Sequence, residues 1–443
     1  MKLILFPLSV LSIVVFKAMA SHQVHQRHPD LHLGRRWSGP PPSLTDPLVF
    51  AHYMITFQPP NGDYTDDIKQ AKAAGIDAFA VNYGGINIDW TMLATQLDRF
   101  YNNASALDFK LFMSYDTDVM SDPKMMVNIS NTYRFHPAQL WVDDKIFLSS
   151  FSGGPPPFDW QRDVLDRING PVMFMPATLA EDAKYTAQQA VGSGPFTWVH
   201  PASTVAAEGK IDLDYSEQRA VAKKPWMAGI APWFFRRMAE DQNWLHAQGM
   251  GMWLDRWMHL LQLKPNFIEI ITWNDFGESS YVGPTTGFHD SDLIQKDCFY
   301  GGLDHSGFLK MAKTFINAYK HGVSTNLGIP PREEDVFMWY RLQPAEINGK
   351  NDAWPLPKNA ADCKDVVNIV SFLSNPATVY LKSGGVTKQL NCPAGISNFT
   401  VPWTFGNQSL SMNRRLGSGS ELSKTGPAIL PQLKTYQGNV VAF

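Results

Sequence analysis

FIEIITWNDFGESSYVGP, residues 267–284, starts as a short apolar run and breaks abruptly into Asn274, Asp275, Phe276, Gly277 and Glu278. Isoleucines and aromatics crowded into its first seven residues, with that ending, read as a buried strand emptying into a polar loop. In a barrel of parallel strands such loops carry the chemistry, because rigid strands hold them while their side chains converge on one mouth. Two carboxylates three residues apart, Asp275 and Glu278, bracketed by Trp273 and Tyr281, have the character of acid/base groups in a sugar cleft. The competing reading makes Asp275 the start of a turn and Glu278 the cap of a following helix. Glu269, inside the apolar run, either faces a polar layer of a barrel or pairs with an arginine.

Outward from that stretch, short apolar runs alternate with longer amphipathic ones from residue 47 onward, the pattern of repeated strand and helix units. Strands are expected at 47–55, 78–84, 110–116, 145–151, 172–178, 196–201, 225–233 and 267–273. Helices are expected at 65–74, 91–106, 122–134, 159–168, 181–190, 215–223, 243–262 and 306–321. Eight strands, each followed by a helix, give a (β/α)8 TIM-type barrel over residues 45–325. The strand ends then bring His52, Asn82, Tyr83, Tyr115, Asp116, His200, Trp233, Trp273, Asn274 and Tyr281 to one face with Asp275 and Glu278. Carboxylates, amides, imidazoles and aromatic plates in one bowl suit a carbohydrate. Taken singly, Asp116 and Asp118 are also turn caps, and His52 and His200 also packing residues. After Gly322 the character changes to short strand-like runs at 336–342, 365–373, 377–382, 396–401, 409–415 and 429–436, broken by glycine, proline and asparagine. This reads as a β-sandwich module over 326–443.

The amino terminus reads as a processing signal: Lys2, the apolar run Leu3–Phe16 and Ala18-Met19-Ala20 predict cleavage after Ala20. The apolar run is short for a membrane span. Residues 21–44, with four histidines, Arg35-Arg36 and a proline cluster, read as a disordered arm or propeptide rather than a metal site. Export predicts oxidised cysteines and glycans. Cys363 and Cys392 flank one carboxyl-terminal region and are expected to pair, leaving Cys298 free or buried. Asn103, Asn128, Asn398 and Asn407 each open an acceptor sequon. The net charge of -3 offers no basic field for a nucleic acid. A monomer is expected, with no membrane partner.

G-x-S-x-G, H-E-x-x-H, a phosphate-binding loop and a dinucleotide fingerprint do not occur. Two carboxylates cleave a glycosidic bond without any of these, one as acid on the leaving oxygen and one as base on water or as nucleophile. Two rivals stand beside this reading: a catalytically inactive glucan-binding cell-wall protein, and a metal-assisted hydrolase using Asp116, Asp118 and a histidine.

VFAHYMI (49–55), GIDAFAVNYG (75–84), KLFMSYD (110–116), PWFF (232–235), the run from Asn243 to Trp257, EIITWNDFGESSYVGP (269–284) and VFMWYR (336–341) resemble fungal glycoside hydrolase family 71, the α-1,3-glucanases or mutanases. The resemblance covers essentially the whole secreted chain. It implies endo-type hydrolysis of α-1,3-glucan with inversion, on a (β/α)8 barrel with a β-sandwich beside it and with no metal or other cofactor. Carried onto this chain, the family's acidic pair falls on Asp275 and Glu278 and a further strand-end aspartate on Asp116. Glu278 is taken as the acid and Asp275 as the base. Ser280 stands where the family usually has histidine, and HAQGMGMW (246–253) replaces a more polar segment, so these departures bear on linkage or subsite preference.

Overall fold

Eight apolar runs become the staves of one closed parallel sheet because each buries both faces, one toward the barrel axis and one toward surrounding helices. The computed structural model describes residues 40–57, 62–83, 90–151, 156–178, 191–198, 223–245, 252–285, 302–322 and 328–443. The staves are β1 (Leu48–Met54), β2 (Ala78–Asn82), β3 (Lys110–Asp116), β5 (Lys145–Phe151), β6 (Val172–Thr178), β7 (Phe196–Thr197), β8 (Met227–Ile230) and β11 (Phe267–Ile270). β1 pairs with both β2 and β11, and β3 with β5, which closes the ring. β4 (Trp141–Val142) adds an antiparallel edge to β5.

Side-chain alternation sorts the interior into layers. Phe50 stands at the centre of an aromatic floor, with ring centroids 4.9 Å from Phe112, 5.3 Å from Phe147 and 5.7 Å from Phe267. Burial of each ring contributes roughly 1.5–3 kcal/mol. Two residues further along the same strands the inward positions turn polar: His52, Ser114 and Ser149, with Glu269 following Phe267, and all four are buried. Asn82 and Asp116 stand at the ends of β2 and β3. The outward positions join the aromatic and aliphatic faces of the helices in a second core.

The described helices are Thr65–Ala74, Trp90–Ala106, Pro123–Tyr133, Met252–Leu263 and Ser306–Lys320. Asp122 caps the third, accepting from Lys124 N at 2.9 Å with Pro123 in the first turn. Two expected helices differ. Residues 159–168 form a π turn (Trp160–Val164) and a 3-10 turn (Leu165–Arg167) before Gly170 at φ 105 ends the segment. Residues 243–262 begin in a hairpin, β9 (Phe235–Ala239) with β10 (Gln242–Leu245), and become helical at Met252. Asn243 and Leu245 are buried while Gln242 and Trp244 are only half-buried, a two-residue period that a helix does not have. The helices expected at 181–190 and 215–223, apart from Lys223, lie outside the described residues, as do residues 1–39.

Beyond the barrel, β12 (Asp335–Arg341), β13 (Val366–Leu373), β16 (Gly395–Pro402) and β19 (Val440–Ala442) form one four-stranded antiparallel sheet. β14 (Ala377–Ser383), β15 (Val386–Cys392), β17 (Gly406–Arg415) and β18 (Glu421–Ile429) form another. Met338, Ile369 and Val401 of the first share a buried cluster with Leu381, Leu410 and Leu422 of the second. The other face of the first sheet packs on the barrel: Phe308 meets Trp339 at 5.6 Å and Phe315 meets Phe372 at 5.6 Å. The strand expected at 429–436 is replaced by the end of β18 and a loop tied down by Tyr436 N on Asp352 Oδ2 at 2.5 Å. β15 escaped notice because its first four residues are all exposed, which gives an apolar pattern nothing to report.

The expected Cys363 to Cys392 bridge is absent: both are buried free thiols. Cys363 belongs to the barrel-side core, with Sγ 3.7 Å from Asn359 O, whereas Cys392 faces the core shared by the two sheets, with Sγ 3.8 Å from Leu390 O. Packing puts them in different layers, which nearness to one sequence region does not register. Cys298 lies outside the described residues. Of the sequons, Asn128, Asn398 and Asn407 are exposed, while Asn103 is half-buried with Nδ2 3.5 Å from Thr65 Oγ1. Non-reducing peptide mapping of the alkylated, unfolded chain is expected to find no peptide that links Cys363 to Cys392.

Candidate active site

The loop that follows β11 is built almost entirely from its own hydrogen bonds. Thr272 N donates to Ser280 O at 2.8 Å and Val282 N to Thr272 O at 3.0 Å, so the segment leaves and returns at one point. Within it, Asp275 N donates to Thr272 Oγ1 at 2.7 Å and Glu278 N to Asp275 Oδ1 at 2.9 Å. Gly283 N reaches Trp273 O at 2.8 Å, and a Cβ at Gly283 would come within 2.7 Å of the Trp273 indole, so only glycine fits there. Asn274 ties the loop to β1: Met54 N donates to its Oδ1 at 2.8 Å, and its Nδ2 donates to Met54 O at 3.1 Å. Trp273 N adds a bond to His52 O at 2.7 Å.

This construction leaves the Asp275 and Glu278 side chains half-buried at the carboxyl-terminal mouth. Arg236, on β9, donates from Nη1 to Glu278 Oε1 at 2.9 Å and from Nη2 to Gln242 Oε1 at 2.8 Å. Phe235 N donates to Glu278 O at 2.9 Å, so hairpin and loop form one unit. Burial first, then the negative charge of Asp275, push the Glu278 carboxyl up to about 7, although Arg236 opposes the rise. Asp275 is also raised by burial, against the pull of the Glu278 amide, Arg236 and His52. Asp116, at the end of β3, is pushed up to about 6 by burial, with the Asp118 amide bonded to its Oδ1 at 3.1 Å and the charge of Asp118 nearby. Asp116 itself adds to the rise at Glu278, so the three acids share one field. Crowded, partly desolvated carboxyl groups titrate apart, which is how a protonated acid and an ionised base coexist near neutral pH.

Other expected site residues are differently employed. Tyr115 is buried with its hydroxyl 2.7 Å from Ser130 Oγ, on the helix outside the barrel. Trp273 is buried against Phe79 at 5.1 Å, and Trp233 donates from Nε1 to Gly438 O at 3.1 Å. Tyr281 stacks on His305 at 4.0 Å and 9°, with its hydroxyl bonded to Leu303 O at 2.5 Å. Tyr83 is buried as well. Rings beside an acidic loop look alike in sequence whether they turn toward the mouth or toward the helices. Asn274 spends its amide on Met54, as described. Asn82 does face inward, with its Oδ1 buried and unpartnered among the described residues. His200 lies outside them. The half-buried aromatic beside the polar layer is Trp198, with centroids 4.8 Å from His52 and 4.5 Å from Phe151. Arg236 and Trp198 were missed: Trp198 stands in a run read only for its apolar content, and Arg236 lies just past PWFF, outside every expected element.

An eight-stranded parallel barrel with three carboxyl groups at its mouth and an arginine on one of them holds the groups that glycoside hydrolysis uses. The chain belongs to glycosyl hydrolase family 71, whose model matches residues 45–442. It is similar to a glucan endo-1,3-alpha-glucosidase of Schizosaccharomyces pombe, 28% identical over 415 residues that cover 89% of this chain and 93% of that one. A mutanase of Penicillium rubens is 30% identical over 83% of this chain and 82% of its own. An ascus wall endo-1,3-alpha-glucanase of Schizosaccharomyces pombe is 26% identical over 82% of this chain and 88% of its own.

The raised Glu278 carboxyl has a consequence for stability. An unfolded chain releases this proton near 4.5, the folded protein near 7, so between those values the folded state holds more protons and stability falls as pH rises. Glu278→Gln is therefore expected to melt higher than the parent at pH 7.5, on the order of a few °C, with the advantage gone at pH 4; thermal melts at the two pH values check it. Trp198→Ala is expected to raise KM for oligosaccharides roughly two- to tenfold, from a stacking contribution of about 0.5–1.5 kcal/mol, with kcat less affected.

Proposed function

We propose that this chain hydrolyses the α-1,3-glucosidic bonds of α-1,3-glucan by endo attack with inversion, Glu278 acting as general acid and Asp275 as general base. The observation that carries the assignment is the unequal environment of two carboxyl groups on one loop: burial, and then the charge of Asp275, push the Glu278 carboxyl up to about 7, while Glu278 N donates to Asp275 Oδ1. A carboxyl protonated near neutral pH is able to protonate a leaving glycosidic oxygen. Asp275 is raised by burial, a more basic carboxylate than usual, and the Glu278 amide on its Oδ1 together with Arg236 favours its ionised form, which suits it to take a proton from water. The charge of Asp116 adds to the rise at Glu278. The substrate follows from the family and from relatives described as an endo-1,3-alpha-glucosidase and a mutanase.

The same reading makes the protein secreted, acting outside the cell or in the wall, with a signal peptide over 1–20 and an arm or propeptide over 21–44. A relative described as an ascus wall glucanase supports the wall setting. The barrel over 45–325 is the catalytic unit and the two carboxyl-terminal sheets, sharing one buried core, a β-sandwich accessory module over 326–443. Glycans on exposed Asn128, Asn398 and Asn407, and on Asn103, fit an exported chain.

Asp275→Asn and Glu278→Gln are each expected to lower the rate of reducing-sugar release from α-1,3-glucan by about 10² to 10⁴ while the fold stays intact. A variant that kept half the parent activity would remove its residue from the assignment, and a folded parent chain that binds glucan without releasing sugar would be a binding protein. Inversion requires the acid and base to stand roughly 6.5–9.5 Å apart around a water. The first product is accordingly expected to be the β-anomer by NMR in the opening minutes; an α-anomer appearing first would mean retention.

A further inference from the structure

Between the barrel and the carboxyl-terminal sheets runs a groove in which the hydrolysis reading has no part. The helix Ser306–Lys320 packs directly on the first of those sheets through Phe308 and Phe315. The helix Met252–Leu263 and the strand β16 instead leave a space of about 630 Å³ between them. Leu254, Met258, Ile329 and Ile396 give it apolar walls, and Asp255 and Ser374 supply polar groups. Mixed walls around a space of roughly 300–1,000 Å³ are the usual setting for a bound organic molecule.

The strand that borders the groove points to what fills it. Along β16, Ile396 pairs with Phe372 and Asn398 with Val370, and Phe372 and Val370 belong to the barrel-side core. The alternate residues, Val401 with Ile369 and Phe399 beside them, face the core shared by the two sheets. Side chains two apart share a face, so Asn398 turns from the sandwich core toward the groove, which it lines. It is exposed there, and it opens the sequon Asn398-Phe399-Thr400. β16 is also an edge, with β13 on one side and no partner strand on the other among the described residues. Edges left bare pair with other chains, and proteins protect them with charge or with a cover. The segment GISNFTVP of β16 carries no charged residue, so protection falls to a cover. The other exposed sequons are placed differently: Asn407 is on β17, which has β14 and β18 on its two sides, and Asn128 is on the helix Pro123–Tyr133.

We infer that an N-linked glycan on Asn398 is seated in this groove, its first N-acetylglucosamine residues wedged between β16 and the helix Met252–Leu263. This rests on the reading of the chain as exported. In the modifying step the Asn398 amide nitrogen attacks C1 of a lipid-linked oligosaccharide diphosphate. The N–C1 bond forms, the bond from C1 to the phosphate oxygen breaks, and the amide loses one proton as the lipid diphosphate leaves. The apolar faces and acetamido methyls of the sugars lie on Leu254, Met258 and Ile396, and a hydroxyl or acetamido N–H donates to the Asp255 carboxylate. A glycan so placed has two effects. It covers the uncharged edge of β16, and it joins the barrel to the sheets where protein side chains leave them apart.

The test uses the full chain secreted from a glycosylating fungal host, with Asn398→Gln, Thr400→Ala, Thr400→Ser and, for comparison, Asn407→Gln. Glycopeptide mass mapping is expected to find Asn398 occupied. Because a seated glycan is reached only after local opening, amidase release from the native protein is expected to be roughly tenfold or more slower at Asn398 than at Asn128 or Asn407. Denaturation is expected to abolish that difference. Asn398→Gln and Thr400→Ala, which remove the same glycan by different side chains, are each expected to lower Tm by about 2 °C or more. Thr400→Ser, which keeps the sequon, and Asn407→Gln are expected to melt like the parent. A bare Asn398 beside an occupied Asn128 or Asn407 would overturn the inference, as would equal release at all three or an unchanged Tm in both glycan-free variants. If those variants fail to be secreted, occupancy and release rates on the parent chain decide. A chain kept inside the host with every sequon bare would sink the export reading, and the inference with it.

Discussion

The first and last staves of the barrel meet at β1 and β11, and the hydrogen bonding between them continues past the point where regular pairing stops. Trp273 N bonds to His52 O, and the Asn274 amide bonds to both backbone groups of Met54. A side-chain amide that donates and accepts at once is the nearest substitute for another residue of sheet. It fixes the acid loop to the seam of the barrel, and the rest of the mouth is arranged around that fixed loop. A loop secured at its root and folded on itself holds two carboxyl groups with little freedom, the preorganisation that catalysis by charge requires.

Charge crowding then dictates what surrounds the loop. Burial raises the proton affinity of Asp116, Asp275 and Glu278, and the charges of Asp275 and Asp116 raise Glu278 further. Arg236, bonded to Glu278 Oε1 at 2.9 Å, opposes the rise. The cost is a site less stable near neutral pH than neutral side chains would make it, a common trade at active sites.

Adjacent arginines show how the barrel and the carboxyl-terminal sheets become coupled. On β9 successive side chains point to opposite faces. Arg236 therefore reaches Glu278, while Arg237 turns the other way into a buried pocket. There Arg237 Nη2 lies 3.4 Å from Asp352 Oδ1, and its Nη1 donates to Asn243 Oδ1 at 3.0 Å and Pro355 O at 3.1 Å. Asp352 in turn accepts from Tyr436 N. His305 lies between Tyr281 O, just past the acid loop, and Asn439 Oδ1 and Val440 O, and burial pushes its pKa down to about 4 against those contacts. The residues that fix the mouth are thus anchored in the segment that closes the chain.

The sequence by itself determined the eight staves, their order, the loop that carries Asp275 and Glu278, and the position of Asp116, because a two-residue or continuous apolar period is a local property that survives in one dimension. It also determined the change of architecture after Gly322. It did not determine which way a ring beside the mouth turns: Trp273, Tyr281, Trp233 and Tyr115 went into the core, and Trp198 lies beside His52 instead. Nor did it reveal that Glu269 meets His52, 217 positions away, that Arg236 meets Glu278, or that Cys363 and Cys392 lie in separate layers. Those outcomes were decided only by the tertiary structure, since the closure of the barrel and the packing of sheets on helices set which side of each strand a residue faces, and contacts between distant strands have no signature in local composition.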